Sequence, residues 1–278
     1  MERSPQKVSQ EHDRPWRLSL FDQWSLSRGS AAVHLPRREQ RLLAFLAISP
    51  PRPRVVVAGE LWPDSNDAHA LSNLRSALLR VRHEAPGLLG DHGDALGLHE
   101  HTQVDLTEKL QAARGPGDPL ARAATLLPCG ELLPGWYDDW VVSFRERMRH
   151  KLIGAFDALA EELLQCGESR LALELAECSA EHDPFRETSH RILAMIHLDR
   201  GDKVEAFRTY QSFRRRSIEE FGMAPTEQFE DIVADLLSER RSRRRAAPAR
   251  VPVARDKAPL PPLPLPVPPQ HHTPRSAS

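Results

Sequence analysis

The 278-residue sequence predicts a small α+β module followed by an all-α repeat domain, and three features carry that prediction. Short alternating apolar runs and a Gly/Asp hairpin bracket three helical stretches in the first hundred residues. Further on, Leu159, Gly167 and Ala172 recur as Leu193, Gly201 and Ala206, each 34 residues later, which is the spacing of a tetratricopeptide (TPR) helix pair. Beyond Arg241 the sequence becomes RSRRRAAPARVPVARDKAPLPPLPLPVPPQ, whose proline density denies a packed core and predicts a disordered, Pro-rich tail.

Residues 1–15 are polar and read as a disordered lead-in. From Trp16 the pattern turns strand-like: Leu18 and Leu20 alternate with polar neighbours, Trp24-Ser25-Leu26 continues, Arg28-Gly29-Ser30 is a turn, and Ala32 to Leu35 completes a small antiparallel sheet. Pro36 opens a helix, RREQRLLAFLAI, that Ser49-Pro50-Pro51 ends. A second, short helix runs from about Val56 to Leu61, stopping at Trp62-Pro63. The third is the longest of the three, from Asn66 to Ala85, with Asn66 or Asp67 as its cap and Pro86-Gly87 as its stop. At 100° per residue, Ala70, Leu71, Leu74, Ala77, Leu78, Val81 and Ala85 share one apolar sector. Leu88 to Leu98 then reads as a hairpin around Gly90-Asp91-His92-Gly93-Asp94. Sheet, three helices, hairpin is the order of a winged helix-turn-helix.

The opposite face of the third helix carries His69, Ser72, Asn73, Ser76, Leu79, Arg80 and His83, flanked by Arg75 and Arg82, and it meets no acid before Glu84. A solvated helix mixes both signs of charge, whereas hydroxyl, amide and guanidinium groups suit base edges and phosphates. The face therefore reads as a DNA-recognition surface. Arg75, Arg80 and Arg82, with Arg37, Arg38 or Arg41 of the first helix, are the candidate phosphate contacts, and His69 belongs to the same surface. Ser72, Asn73 and Ser76 are the candidates for base edges, and Leu79 for a thymine methyl. For Arg75 and Arg82, ion pairs within the fold are the alternative, and for Leu79, packing on the wing.

Charge is segregated along the chain although the net is −1. Residues 28–84 hold nine basic and five acidic side chains, residues 105–239 hold sixteen and twenty-six, and residues 240–278 hold nine and one, so both ends suit a polyanion. Three cysteines, Cys129, Cys166 and Cys178, without a C-x-x-C pair suggest neither a disulfide framework nor a zinc site, and read as small buried hydrophobes. No apolar run reaches a membrane-spanning length, and the N-terminus lacks an apolar signal core, so a cytoplasmic, nucleoid-associated protein is expected. No Gly-rich phosphate loop, G-x-S-x-G or H-E-x-x-H is present; the expectation is a non-enzyme without cofactor or metal. Asp138 and Asp139 read as a cap or a solvated pair, and His99 with His101 lack a third ligand.

The helical half begins at Asp105. A helix up to Leu127 follows the Gly115 to Pro119 break, Gly130 to Trp140 is an apolar connection, and a helix from about Val141 to Gln165 leads into the 34-residue repeat, which a helix from Thr226 to Arg240 closes. The expected domains are thus 16–104, 105–240 and a tail at 241–278.

The phrases RREQRLLAFLAISP, GELWPD, ALSNLRSALLRVR, GELLPGWYDDWV, FRERMRHKL and DPFRETSHRILAMIHLDRGDKVEAF, in that order, resemble the SARP family, bacterial regulators that join an OmpR-type winged helix to a bacterial transcriptional activation domain. The likeness covers roughly residues 16–239. The family's L-W-P falls on Leu61-Trp62-Pro63, and its N-L-R-x-A-L-x-R-x-R on Asn73 to Arg82. The resemblance implies a sequence-specific activator that binds direct repeats in double-stranded DNA and recruits RNA polymerase. So few base contacts per copy call for a homodimer on DNA. The wing carries Asp91 and Asp94 where a phosphate would prefer a cation, and neither a preceding receiver domain nor a following ATPase is expected to control it. The competing reading is a TPR-type adaptor or signal-sensing module without direct promoter action.

Overall fold

Alternation of buried and exposed residues sets the first strand, β1 (Trp16–Ser19), which pairs antiparallel with β2 (Ser25–Arg28), itself paired with β3 (Ala31–Ala32). The computed structural model describes residues 14–127, 129–234, 236 and 238. The expected lead-in falls outside them except for its last two residues, and the expected tail lies wholly outside. Helix α1 (Arg37–Ile48) has the bounds the sequence predicts and buries Leu42, Leu43, Ala44, Phe45 and Leu46. A short strand, β4 (Arg52–Pro53), precedes α2 (Arg54–Leu61), and α3 (Asp67–Glu84) follows. Asn66 caps α3 by accepting the His69 N–H at 2.9 Å.

Two strand pairings were not legible in the sequence, although the hairpin that contains β5 was expected. β5 (Ala95–Leu96) pairs with β4, so the wing is stitched to the residues just before α2. β6 (Gln103–Val104) runs parallel to β1 and completes a four-stranded sheet in the order β3-β2-β1-β6. Both are two residues long, too short for any periodicity to show.

The remaining elements among the described residues are helical: α4 (Asp105–Arg114), α5 (Pro119–Leu126), α6 (Asp139–Gln165), α7 (Ser169–His182), α8 (Glu187–Asp199), α9 (Lys203–Phe221) and α10 (Glu227–Ile232). The repeat is realised as two antiparallel pairs, α6 with α7 and α8 with α9. Gly167 and Gly201 occupy equivalent turns with φ of 81° and 78°, a left-handed conformation that a side chain would strain. Ala172 and Ala206 are fully buried, where a larger residue would hold the paired helices apart. Lys109 is buried as well; its Nζ donates to the carbonyls of Thr125 (3.1 Å) and Leu126 (2.7 Å), placing a cation at the C-terminal end of α5.

A polar knot holds α6, α7 and α8 together. Asp157, 4 % exposed, accepts bonds from the hydroxyls of Ser179 (2.7 Å) and Ser189 (2.9 Å) and pairs with Arg186 Nε at 2.6 Å. Beside it His190 is buried, with Nε2 3.0 Å from the Pro184 carbonyl and 3.2 Å from Arg216. Burial pushes its pKa below the ordinary 6.5, the Pro184 bond opposes this, and Arg216 adds to it.

The described residues up to Leu236 form one compact unit whose apolar core runs without interruption from Trp16 to Ile196. The expected boundary at residue 104/105 is not a gap in packing. The Asp105 carboxylate accepts the backbone N–H groups of Leu20 and Phe21, so the first residue of the helical half clasps the end of β1. The cysteine expectation is corrected: Cys129 and Cys178 are joined by a disulfide across 49 residues, and Cys166 is a free, exposed thiol. Spacing alone could not reveal the pairing, because a segment folded far from α7 in sequence brings Cys129 to it.

Replacing Asp157 with alanine leaves two buried hydroxyls and a guanidinium without their acceptor and is expected to cost about 3 kcal/mol in urea unfolding. For His190, the depressed folded pKa means that its contribution to stability is complete above pH 6.5 and is lost as the pH falls through the folded value. His190→Gln is expected to flatten the decline below pH 6.5 by at most about 1.4 kcal/mol per pH unit. Unfolding curves of the variant and parent across that range test this.

Candidate nucleic-acid interface

Helix α3 is positioned by its apolar side. Ala70, Leu74, Ala77, Leu78 and Val81 are buried against α1 and α2, and Leu71 is half-buried at the edge of that stripe. The helix can therefore turn only one face outward. On it His69, Ser72, Arg75, Ser76, Leu79, Arg80, Arg82 and His83 are all exposed, and Asn73 is half-buried. Leu79 is 68 % exposed and does not pack on the wing. Water gains nothing from such a leucine, which sits ready for an apolar contact such as a thymine methyl.

Among the described residues neither Arg80 nor Arg82 forms an ion pair, and Arg75 makes only a 3.3 Å bond from Nε to the Leu71 carbonyl of its own helix. Ser76 donates to the Ser72 carbonyl at 3.1 Å, which leaves its oxygen lone pairs available. Asp67 in the first turn and Arg82 with His83 in the last complement the helix dipole. Positive charge therefore concentrates toward the C-terminal end of α3.

That end faces the wing across a concavity of about 340 Å³, lined by Arg54, Arg82, Gly87, Asp91, His92 and Gly93 among others. Arg54 and Arg52 are exposed, and the sequence reading missed both. The available signal was their flanking of Pro53 at the start of the second helix, an end whose free N–H groups suit anions. The wing is compact: His92 lies 3.0 Å from the Leu98 carbonyl, between Gly90 and Gly97, where a Cβ on either glycine would come within 2.6 Å of its Nε2. Asp91 and Asp94 are exposed at its tip, as the sequence expectation of an anionic wing requires.

The first-helix arginines lie elsewhere. Arg37 stacks 3.5 Å over the Trp136 ring, and Arg38 bonds Glu39 at 3.1 Å. Arg41 pairs with Asp138 at 2.5 Å and also donates to the Leu61 carbonyl at 2.9 Å. Arg37 and Arg41 thus hold the segment 130–138, here called the strap, onto α1, so a phosphate contact by either competes with that hold. Pairing of Leu132 with Phe21 and the Leu133 N–H to Leu20 carbonyl bond (2.7 Å) lay the strap along the end of β1. Arg145 of α6 donates to the carbonyls of Leu132, Leu133 and Trp136 from the other side. Asp138 is the residue preceding α6 and is engaged in an ion pair, a role nearer to the expected cap than to acid–base chemistry. His99 and His101 stack edge to face at 5.1 Å, and among the described residues no group of three or more potential ligands gathers around a metal position.

Residues 117–237 match the family described as bacterial transcriptional activator domain. Among solved structures, the chain is similar to Mycobacterium tuberculosis EmbR, determined in complex with a low affinity phosphopeptide, with a TM-score of 0.60 and 17 % identity over 82 % of this chain. The match takes in 66 % of the EmbR chain, just under two thirds of its length. No curated protein matches the sequence. These findings bear out the expected fold, a small α+β module leading into a helical domain, and the helical part is the one that the bacterial transcriptional activator domain model matches. Among the described residues no helix is long and apolar enough to cross a membrane.

Arg41→Ala strips a largely buried carboxylate of its cation and a carbonyl of its donor. It is expected to lower unfolding stability by about 2 kcal/mol, with Asp138→Asn in the same background recovering part of the loss, measured in urea.

Proposed function

We propose that this SARP-type transcriptional regulator binds double-stranded DNA in a sequence-specific way by laying α3 in the major groove. One observation carries the reading: the outward face of α3 is, apart from Leu79, polar or cationic from His69 to His83, is exposed at all of these positions but Asn73, and among the described residues has arginines at its end without acidic partners. A surface of that kind spends nothing on breaking internal ion pairs before it meets phosphate.

Within this reading Ser72, Asn73, Ser76 and Leu79 face base edges, with His69 at the entry of the helix. Arg75, Arg80 and Arg82 take phosphates, and Arg52 and Arg54 replace Arg37 and Arg41 in that role. Arg38, exposed but bonded to Glu39, stands at the margin. A contact set this small supports useful discrimination only when two copies sit side by side, so we infer a homodimer on direct repeats. The helical domain at 105–240 would supply the activating contact to RNA polymerase, and 16–104 the DNA contact, in the cytoplasm at the nucleoid. The boundary is then one of task, since packing is continuous across it. The exposed, acid-poor face of α3 favours this reading over an adaptor lacking promoter action, which has no need of such a face.

Full-length protein titrated onto genomic promoter fragments across a salt series provides the test. Arg80→Ala is expected to weaken binding on all fragments and make the slope of log affinity against log salt shallower by about one. Asn73→Ala is expected to relax preference at one base position. Parent-like binding by both variants would refute the placement of α3.

A further inference from the structure

We propose that the Cys129–Cys178 pair is a thiol–disulfide exchange site, whose substrates are dithiol reductants and small-molecule disulfides, and that it sets how firmly the strap is tied to the helix stack. The pair joins two parts of the fold that otherwise have separate anchors. Cys178 sits on α7, and Cys129 stands immediately before the strap. Both residues are half-buried at the margin of the core, so an incoming thiolate needs only local opening to reach the bond.

The strap does not need the bond in order to fold. Arg145 holds three of its carbonyls, Arg37 covers Trp136, Arg41 pairs with Asp138, and Leu132 and Leu133 pair with the end of β1. Two states that share one fold are therefore available, with the bond and without it. A cross-link spanning 49 residues stabilises mainly by restricting the unfolded chain, so its loss weakens the whole unit and most directly the segment it begins. Because the strap is what Arg37 and Arg41 grip, a change there reaches α1, against which α3 packs.

The chemistry balances as an exchange. One thiolate of the reductant attacks a sulfur of the pair, the other cysteine leaves as a thiolate and takes up a proton, and the second reductant thiol resolves the mixed disulfide. Two cysteine thiols and the oxidised dithiol result, with two electrons and two protons transferred. Glutathione disulfide runs the sequence in reverse, releasing two glutathione thiols. Cys166, exposed and outside the pair, serves as an internal reference.

The test uses the full chain, equilibrated either with excess dithiothreitol or with glutathione disulfide, then denatured and trapped with N-ethylmaleimide for intact mass. Three maleimides are expected on the reduced protein. After oxidation Cys129 and Cys178 are expected to carry no maleimide, while Cys166 carries either a maleimide or a glutathionyl group, which the intact mass distinguishes. Reduction is expected to speed hydrogen exchange at the Asp22 and Leu133 amides, which bond across the strap, by about tenfold, and to lower the melting temperature by roughly 5–10 °C. The Cys129→Ser/Cys178→Ser protein should match the reduced state and ignore either reagent, whereas Cys166→Ser should respond like the parent. Alkylation of Cys129 and Cys178 after oxidation, or identical exchange and melting in the two states, would overturn the proposal. None of these readouts involves DNA, so their failure is distinguishable from failure of the DNA-binding reading.

Discussion

Everything in the compact unit depends on the docking of one short segment. The strap is contiguous in sequence with the helical half, yet its side chains are spent on the winged half: Trp136 lies under Arg37, Asp138 pairs with Arg41, and Trp140, at the start of α6, meets Phe45 edge to face at 5.5 Å. Arg41 is the centre of this arrangement. A single guanidinium joins α1, the last residue of α2 and the residue before α6, so the support of the helix-turn-helix and the first turn of the long helix share one fixed point. An ion pair with both partners about one-fifth exposed is worth far more than a surface pair, because removing either partner leaves a desolvated group behind.

This clamp accounts for the division of labour among the arginines. A cation can hold a carboxylate of its own chain or wait for a phosphate, and side chains in α1 and α3 have taken opposite options. In α1 the partners come from the strap. In α3, among the described residues, neither Arg80 nor Arg82 is paired with a carboxylate, and the nearest acid in sequence, Glu84, is itself exposed. The difference is one of neighbourhood and not of residue type, so composition could not have separated the two groups.

The sequence was most legible where periodicity is long. Helix α1 has its predicted bounds, α3 differs from expectation by a residue at each end, and the 34-residue recurrence of Leu, Gly and Ala maps onto equivalent turns and helix contacts. Legibility failed where structure depends on contacts far apart in the chain. β4, β5 and β6 exist because their partners do, and two residues carry no pattern of their own. The same cause hid the Cys129–Cys178 bond and the diversion of Arg37 and Arg41. Of the candidate site, the α3 residues could be placed from a helical wheel, whereas Arg52 and Arg54 required knowing that the wing folds back over the start of α2.

The clasp of Asp105 on the end of β1 has a consequence for any splice between the two halves of the chain. The backbone N–H groups of Leu20 and Phe21 find their acceptor in a residue more than eighty positions away, and the neighbouring Leu20 carbonyl finds its donor later still, at Leu133. Exchange of the helical half for another therefore cannot treat the junction as a neutral suture. A hybrid spliced there inherits a foreign clasp and a foreign strap, and only joints placed beyond Trp140 carry both across intact.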